Sequence, residues 1–324
     1  MSSGEDDLIA RYFKPLATDP GAFGLIDDAA ILKGSTDDLV VTTDAIVEGV
    51  HFLADDPPDT VARKALRVNL SDVAAKGAEP AGFVLTLALR EVNDTWLAPF
   101  ARALGEDATG FACPLLGGDT VSTPGPLMIS VTAFGRVPAG RMVRRSGASA
   151  GDAVFVTGSI GDAMLGLAAA RAGAMLQLDV ASHGALVSRY RVPQPRTGLA
   201  RAVRDHASAA MDVSDGLAGD LAKLCKASGL SAEIGLEQIP VSPLAAILLA
   251  AKATTIEALI AGGDDYEILC TVPEARVAAF AAAARAADVA ATRIGSIRSG
   301  EGLPRFIGAD GREIVLKRSS YSHF

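Results

Sequence analysis

The sequence predicts a two-domain protein of the mixed α/β (α+β) class, and three observations support this prediction. The chain has 324 residues, which corresponds to two domains at roughly 150 residues each. Segments with strand character alternate with segments of helical periodicity in both halves. Residues 136–151 combine Arg, Gly, Pro and Ser without a sustained period, as linkers do. We therefore predict an N-terminal domain over 1–148 and a C-terminal domain over 149–324.

The first domain is predicted to mix strands and helices. β-Branched residues and alternation of period two indicate the strands, and apolar residues at helical spacing indicate the helices. Gly77 follows the first helix as a C-terminal cap, and Asp94 precedes the second as an N-cap. Both faces of 127–134 are rather apolar, so we expect this strand to be covered on both sides. The predicted strands are 39–43, 83–89 and 127–134, and the predicted helices are 59–76 and 95–104.

The second domain shows the same mixture of periods. Leu217, Leu221 and Leu224 form an apolar stripe at helical spacing, and an Ala-rich segment begins at Glu274. Such mixed halves are typical of α/β and α+β domains. The predicted strands are 152–157, 266–272, 292–297 and 314–316, and the predicted helices are 161–172, 196–205, 217–226, 243–251 and 274–286.

Composition and charge exclude several classes of protein. Lys and Arg number 30 and Asp and Glu 38, which gives a formal net charge of −8 and argues against a nucleic-acid-binding surface. No apolar run approaches the length of about 18 residues that a membrane span needs, and the acidic first residues are unlike a signal peptide. Cys113, Cys225 and Cys270 are far apart and odd in number, so we expect buried, reduced thiols in a cytoplasmic protein.

The most informative pattern is a set of aspartates near the ends of apolar strands. Asp44 ends Val-Val-Thr-Thr-Asp, and Asp119 ends Leu-Leu-Gly-Gly-Asp. Buried carboxylates need a compensating charge, and no matching set of lysines lies near them in the sequence. Mg²⁺ is a natural partner because it prefers oxygen ligands and commonly links carboxylates to phosphates. The set comprises Asp27, Asp28, Asp44, Asp119, Asp212, Asp215, Asp264 and Asp265, with hydroxyls at Thr42, Thr43, Thr120 and Ser214.

Each element also has an ordinary structural interpretation. Ser214 and Asp215 are compatible with a helix N-cap and its first turn, and Asp72 precedes Lys76 by four residues, the spacing of a surface ion pair. The Gly-Gly-Asp segments are compatible with turns, and a lone histidine, arginine or tyrosine is usually structural. Five separate acidic elements would all have to be coincidences, which favours a functional origin for the set.

Several familiar phosphate-binding and catalytic motifs are absent from the sequence. No lysine follows a glycine, so there is no Gly-Lys-Ser/Thr phosphate loop, and the single Gly-x-Gly lacks the third glycine of a dinucleotide fingerprint. There is no His-Arg-Asp or Asp-Phe-Gly of protein kinases and no Gly-x-Ser-x-Gly elbow. A phosphate-binding protein of this composition would hold its nucleotide mainly through metal ions.

An ordered series of motifs resembles the thiamine-monophosphate kinases, which are in the superfamily that includes aminoimidazole ribonucleotide synthetase. The resemblance covers nearly the whole chain, and the number and order of its motifs make it specific. Departures include Ile26, Asp264 and Ser320, where the family usually has glycine, glutamate and glycine. The motifs are Asp27-Asp-Ala-Ala, Thr42-Thr-Asp-Ala, Gly49-Val-His-Phe, Asn69-Leu-Ser-Asp, Gly117-Gly-Asp-Thr, Arg145-Ser-Gly-Ala, Thr157-Gly-Ser-Ile-Gly, Met211-Asp-Val-Ser-Asp-Gly-Leu, Gly262-Gly-Asp-Asp-Tyr-Glu and Tyr321-Ser-His-Phe.

The resemblance implies a fold, a reaction and a set of site residues. It implies an aminoimidazole ribonucleotide synthetase-like fold with a mixed-sheet C-terminal α/β domain. The N-terminal domain would bind metal and ATP, and its sheet would form a barrel across a homodimer. The implied reaction is direct in-line transfer from ATP to thiamine monophosphate, with several Mg²⁺ ions and no phosphoenzyme. The implied metal ligands are Asp28, Thr42, Thr43, Asp44, Asp72, Asp119, Asp212 and Asp215. The implied ATP contacts are Gly118, Asp119, Arg145 and Ser214, the substrate contacts His51, Asp264 and Tyr321, and the catalytic residues Asp44, Asp119 and Asp212.

Other functions remain open at this point. An enzyme of the aminoimidazole ribonucleotide synthetase type is the main alternative, although Gly49-Val-His-Phe and the Tyr-x-His-Phe end favour the thiamine enzyme. A hydrogenase-maturation relative would end in cysteine, whereas this chain ends in Phe324. A catalytically silent metal or nucleotide sensor would have lost ligands, and a Mg²⁺-dependent phosphatase would act without ATP.

Overall fold

The computed structural model of the chain describes residues 7–27, 29–172 and 178–316. Its residues divide into two compact units. Unit 1 comprises Met1–Val73 with Ala78–Gly140, and unit 2 comprises Ala74–Gly77 with Arg141–Phe324. Within the described ranges, no helix combines the length and apolarity that a membrane span requires.

Unit 1 is built on a mixed sheet, which among the described residues has four strands. The strand order is β1-β4-β2-β3; β2 and β3 run parallel, and the other neighbours run antiparallel. The sequence predicted three of these strands and both helices. The elements are β1 (Asp38–Val47), helix α1 (Pro58–Ala75), β2 (Glu79–Leu89), helix α2 (Asp94–Gly110), β3 (Leu115–Ser122) and β4 (Met128–Val137).

One face of this sheet carries the core of unit 1. Inward residues of β2 and β4, such as Phe83 and Ile129, pack with Leu66 of α1 and Phe100 of α2. Burial alternates along β4, as the period of two predicts. The residues that point to the face away from the core are only half-buried. Among the described residues, β4 is therefore fully covered on one side and only partly on the other, so the expectation of cover on both sides is met in part.

The helix ends of unit 1 match the sequence prediction at one position and differ from it at another. Gly77 has φ +70° after α1, the left-handed conformation expected of a C-terminal glycine. The N-cap of α2 is Asn93, not Asp94: Asn93 is extended and its side chain accepts the Thr95 N–H at 2.9 Å. Asp94 already belongs to the first turn, where its carboxylate accepts hydrogen bonds from Arg11 and Tyr12.

Unit 2 contains a larger mixed sheet, with seven strands among the described residues. The strand order is β11-β10-β7-β9-β5-β8-β6. Its strands are β5 (Ala153–Thr157), β6 (Ala209–Asp212), β7 (Ser231–Gly235), β8 (Ile268–Val272), β9 (Ala291–Arg298), β10 (Arg305–Ile307) and β11 (Glu313–Ile314). Its helices are α3 (Asp162–Ala172), α4 (Val180–Arg191), α5 (Ala200–His206), α6 (Leu217–Ser228), α7 (Pro243–Ala250), α8 (Ile256–Ala261) and α9 (Val277–Ala286).

Both faces of the central strands in unit 2 are buried. Along β5, Val154 and Val156 belong to the cluster that includes Leu217 of α6, whereas Phe155 packs on the opposite face with Phe280 of α9. Phe155 and Phe280 meet edge to face, with ring centroids 5.2 Å apart. This two-sided covering explains why the strand reads as a continuous apolar run rather than an alternating one.

The three cysteines lie inside these cores as reduced thiols. Cys113, Cys225 and Cys270 are all free and buried, as the sequence predicted. Burial raises the pKa of Cys113 and Cys270 to about 12, although a backbone hydrogen bond from Gly82 opposes the shift at Cys113. Burial also raises the pKa of Cys225, to about 11. All three groups are therefore held in the unreactive thiol form.

Candidate active site

The first candidate ligands lie where β1 meets α1 in unit 1. The Thr42 hydroxyl donates to Asp72 Oδ2 at 2.6 Å, which joins the strand to the helix. Strand alternation places Asp44 on the same face of β1 as Thr42, and the Asp44 side chain is exposed. Thr42, Asp44 and Asp72 therefore present oxygen donors on one face of the sheet, and their role as Mg²⁺ ligands stays a prediction.

Thr43 lies apart from this group. Its hydroxyl donates to the Val131 carbonyl at 3.2 Å and accepts from the Thr132 hydroxyl at 3.0 Å. Thr43 is opposite Thr132 in the register, on the face of the sheet that α1 and α2 do not cover. Adjacent threonines on a strand point to opposite faces, so the hydroxyls of Thr42 and Thr43 do not share one ion.

Asp44 and Asp119 stand at opposite edges of the sheet. The register places Asp44 beside Val131, Val131 beside Leu85, and Leu85 beside Gly118. Three strand spacings of about 4.8 Å separate the two edges, so the backbones are roughly 14 Å apart. Two carboxylates at that separation do not reach the same Mg²⁺, whose ligands lie at about 2.1 Å.

His51 occupies the turn that follows β1. Its Nδ1 accepts the Val47 N–H at 3.0 Å, which requires the neutral ring to carry its proton on Nε2. The His51 carbonyl accepts from Lys64 Nζ at 2.9 Å, and Lys64 is buried in α1. The end of β1 thus orients the ring, and α1 holds the backbone that carries it.

In unit 2, Asp212 and the turn after β6 carry further candidate residues. Asp212 ends β6 and is 4% exposed. Asp220 in α6 is fully buried, and its Oδ2 accepts the N–H groups of Ser214 and Asp215, each at 3.0 Å. Burial raises the pKa of Asp220, although hydrogen bonds and charge from Lys223 oppose the shift. Asp220 fixes the turn from which Ser214 and Asp215 project.

Lys223 is a lysine partner for one of these acids, although no matching set of lysines accompanies the whole series. Its ammonium donates to Asp215 Oδ2 at 2.5 Å and to Asp220 Oδ1 at 2.8 Å. Neither Lys223 nor Asp220 was singled out from the sequence. Their spacing of three residues on a predicted helix was the signal that could have found the pair.

The segment carrying Asp264 is bound to the Ser214 turn. The Asp264 N–H donates to the Ser214 carbonyl and the Tyr266 N–H to the Val213 carbonyl, both at 2.8 Å. Asp264 and Tyr266 have φ of +69° and +51°, a conformation that non-glycine residues seldom adopt. Ser214, a candidate ATP contact, and Asp264, a candidate substrate contact, are therefore neighbours held together by backbone hydrogen bonds.

Two buried acidic side chains of the same segment, Asp265 and Glu267, fix it to other parts of unit 2. Asp265 is buried, and its carboxylate accepts the N–H groups of Gly161 and Ala163 at 2.8 and 3.3 Å. Glu267 is fully buried and is paired with Arg196 at 2.5 Å and Arg189 at 3.2 Å. Sequence reasoning missed the role of Glu267, because its arginine partners lie about seventy residues earlier in the chain.

The remaining candidates are placed as follows. Arg145 is exposed, and its carbonyl accepts the Ser228 hydroxyl at 3.2 Å. Gly118 is exposed on β3 beside Asp119. Asp28 and Tyr321 lie outside the described residues.

The donor set fits Mg²⁺ by its chemistry. The candidates offer only carboxylate and hydroxyl oxygens, which suit a hard cation and exclude a thiolate or imidazole site. Over residues 7–27, 29–172 and 178–316, no three His, Cys, Asp or Glu side chains converge as a ready-made ion site. Mg²⁺ usually takes one or two carboxylates together with water and phosphate oxygens, so a single carboxylate such as Asp72 with the neighbouring Thr42 hydroxyl is a sufficient protein contribution.

Comparison with known proteins adds to this geometry. A family model described as the AIR synthase related protein, N-terminal domain, matches residues 26–137, and the corresponding C-terminal domain model matches residues 149–306. The chain is 46% identical to a thiamine-monophosphate kinase of Caulobacter vibrioides, over 98% of this chain and 90% of the relative. It is 39% identical to that of Salmonella typhimurium, over 100% and 99%.

The chain also aligns over nearly its whole length with solved structures. A crystal structure of thiamine-monophosphate kinase from Stenotrophomonas maltophilia aligns with a TM-score of 0.83 at 36% identity, covering 95% of this chain and 96% of that one. The structure of AaThiL complexed with AMPPCP and TMP aligns with a TM-score of 0.79 at 31% identity, covering 94% and 97%.

Proposed function

The chain belongs to the family of thiamine-monophosphate kinases, and we propose that it transfers the γ-phosphoryl group of ATP to thiamine monophosphate, giving ADP and thiamine diphosphate. The observation that carries this conclusion is the full-length likeness to kinases of that name, one of which binds AMPPCP and TMP. The acidic donor set of both units and the absence of a phosphate loop in the sequence suit a kinase that holds nucleotide through metal.

The site residues are proposed by group. Asp44, Asp119 and Asp212 are the carboxylates closest to the chemistry. Gly118, Asp119, Arg145 and Ser214 contact ATP, where the Arg145 guanidinium pairs with phosphate oxygens. His51, Asp264 and Tyr321 contact thiamine monophosphate, where the tyrosine ring lies against the thiamine rings. Mg²⁺ is held by Asp28, Thr42, Thr43, Asp44, Asp72, Asp119, Asp212 and Asp215.

The acceptor determines what the protein has to supply. A phosphate monoester is already anionic near neutral pH, so the chain needs no general base to activate it. When bound, Mg²⁺ neutralises charge on the phosphate oxygens of both substrates. The carboxylates hold the ions, the Ser214 turn and Arg145 orient the donor, and the neutral His51 ring offers its Nε2–H to the acceptor. We expect direct transfer without a phosphoenzyme.

The uncovered face and the edges of the unit 1 sheet support a homodimer. Leu39, Val41 and Val121 lie on the edge strands and are 43%, 55% and 43% exposed. Exposed apolar residues on unpaired edge strands favour association with another sheet. In a two-fold dimer in which β1 of one copy meets β3 of the other, Asp44 and Asp119 of the partner subunit would lie on adjacent strands, a proximity that one sheet alone does not allow.

We also propose a cytoplasmic location. The three free thiols are typical of a reducing compartment. An enzyme that uses ATP and phosphorylated thiamine fits the same compartment.

The test of the activity is an ADP-release assay with product chromatography. Purified protein with ATP, MgCl₂ and thiamine monophosphate is expected to yield ADP and thiamine diphosphate in equal amounts, and neither in EDTA. Asp212→Asn should lower kcat by about 10²-fold or more, because the ion-binding charge is lost. Asp288→Asn, at an exposed turn residue of the same unit, is the matched control and should leave kcat unchanged.

Three other results would each reject this activity. Turnover of formylglycinamidine ribonucleotide instead would assign the protein to the purine branch of the superfamily. Phosphate release from thiamine monophosphate without ATP would indicate a phosphatase. Nucleotide or metal binding without turnover would indicate a sensor.

A further inference from the structure

Lys223 forms ion pairs with two carboxylates that differ in solvent exposure. It projects from α6 and lies 2.5 Å from Asp215 Oδ2 and 2.8 Å from Asp220 Oδ1. The Lys223 and Asp215 side chains are 41% and 34% exposed, whereas Asp220 is fully buried. One partner therefore faces solvent and the other belongs to the interior.

The two carboxylates also differ in how firmly they are held. Asp220 Oδ2 accepts two backbone N–H groups, so Asp220 is fixed by the turn that it supports. Asp215 Oδ2 has Lys223 as its hydrogen-bond donor. A lysine side chain carries a full positive charge near neutral pH, and the geometry places this charge on a proposed metal ligand.

We propose that Lys223 is the resident counter-ion of Asp215 and that it yields this carboxylate to Mg²⁺ while keeping its bond to Asp220. The inference rests on the proposed function, because it takes Asp215 as a metal ligand. Lys223 would then offset the charge of Asp215 before the ions and nucleotide arrive, and would set how tightly this carboxylate binds Mg²⁺.

Charge and geometry support the exchange. A cation bound to Asp215 would lie about 2.1 Å from a carboxylate oxygen, so an ammonium at hydrogen-bond distance from the same group would repel it strongly. The flexible stem of lysine can move its charge, and the bond to Asp220 gives the ammonium a second partner. The half-exposed pair with Asp215 contributes little to folding, so stability alone does not explain that contact.

The experiment compares Lys223→Gln with the wild-type enzyme by calorimetric titration with MgCl₂ at constant ionic strength. Removing the competing charge is expected to lower the Kd for Mg²⁺ by about three- to tenfold. Lys226→Gln is the matched control: it removes the same charge from an exposed site one turn further along α6. It should leave the Kd unchanged within about twofold, because exposed charges farther away are screened.

Thermal unfolding supplies a second readout. Lys223→Gln should lower the melting temperature by about 1–3 °C more in EDTA than in saturating MgCl₂, because the bond to Asp220 is lost in both conditions whereas the pair with Asp215 exists only in the metal-free state. An equal loss in both conditions, or a Kd for Mg²⁺ that Lys223→Gln leaves unchanged, would overturn the counter-ion role. If the wild-type enzyme makes thiamine diphosphate in the same preparation, the proposed function stays intact. A wild-type enzyme that makes no thiamine diphosphate would overturn the proposed function as well.

Discussion

Asp265 shows how a single residue of the acidic series can serve the backbone and not a ligand. Its carboxylate caps the start of α3 through the N–H groups of Gly161 and Ala163. Complete burial raises its pKa well above the usual value, against the effect of those donors. A carboxyl with a raised native pKa stabilises the fold at pH below its unfolded pKa of about 3.9, and that contribution is lost as the pH rises through the native pKa.

We therefore predict that Asp265→Asn weakens the pH dependence of stability. The amide keeps an acceptor oxygen for the helix N–H groups but does not titrate, so the variant should lose less stability than the wild type between about pH 5 and pH 8. The measurement is the urea midpoint at both pH values. Asp288→Asn, an exposed aspartate of the same unit, should follow the wild type. Parallel pH curves for Asp265→Asn and wild type would show that Asp265 is not protonated preferentially in the native state.

At the scale of elements, the turn after β6 and the segment before β8 behave as one piece. A Cβ on Gly263 would lie 2.4 Å from the Ser214 carbonyl oxygen, which accepts the Asp264 N–H. Gly263→Ala should therefore displace the two segments and lower kcat/KM by about 10–100-fold, because small misplacements of binding groups are costly. The assay is ADP release with thiamine monophosphate.

The control for this variant is Gly184→Ala. Gly184 lies within α4, where an added Cβ meets nothing within 4 Å. Alanine there should stabilise the helix by about 0.5–1 kcal/mol and leave kcat/KM unchanged. Full activity of Gly263→Ala would show that the contact between the two segments does not set the geometry of the site.

The elements also show what a sequence can predict and what it cannot. Long periodic segments such as α1 and β4 were predicted from their own residues. The three-residue strand β10 was missed because a strand that short has too few residues to show a period. Asp220 and Glu267 were missed as buried anchors because burial and pairing depend on partners outside their own element. The aspartate series by itself does not distinguish side chains that face ligands from those, such as Asp265, that accept backbone N–H groups.

At the scale of the whole molecule, the separation of Asp44 and Asp119 makes the proposed homodimer testable. We predict that Asp44→Asn and Asp119→Asn are each inactive alone but recover activity when co-expressed. If Asp44 of one copy works with Asp119 of the other, a mixed two-fold dimer has one intact site and one site with both changes. Random pairing makes half of the dimers mixed, so about a quarter of the wild-type activity should return. The measurement is ADP release by the co-expressed protein, and the doubly tagged mixed dimer purified from it should reach about half of the wild-type activity because one of its two sites is intact. Separately purified variants mixed without subunit exchange are the control. If each site used both residues from one chain, every site in the mixed dimer would lack a carboxylate, and no activity would return.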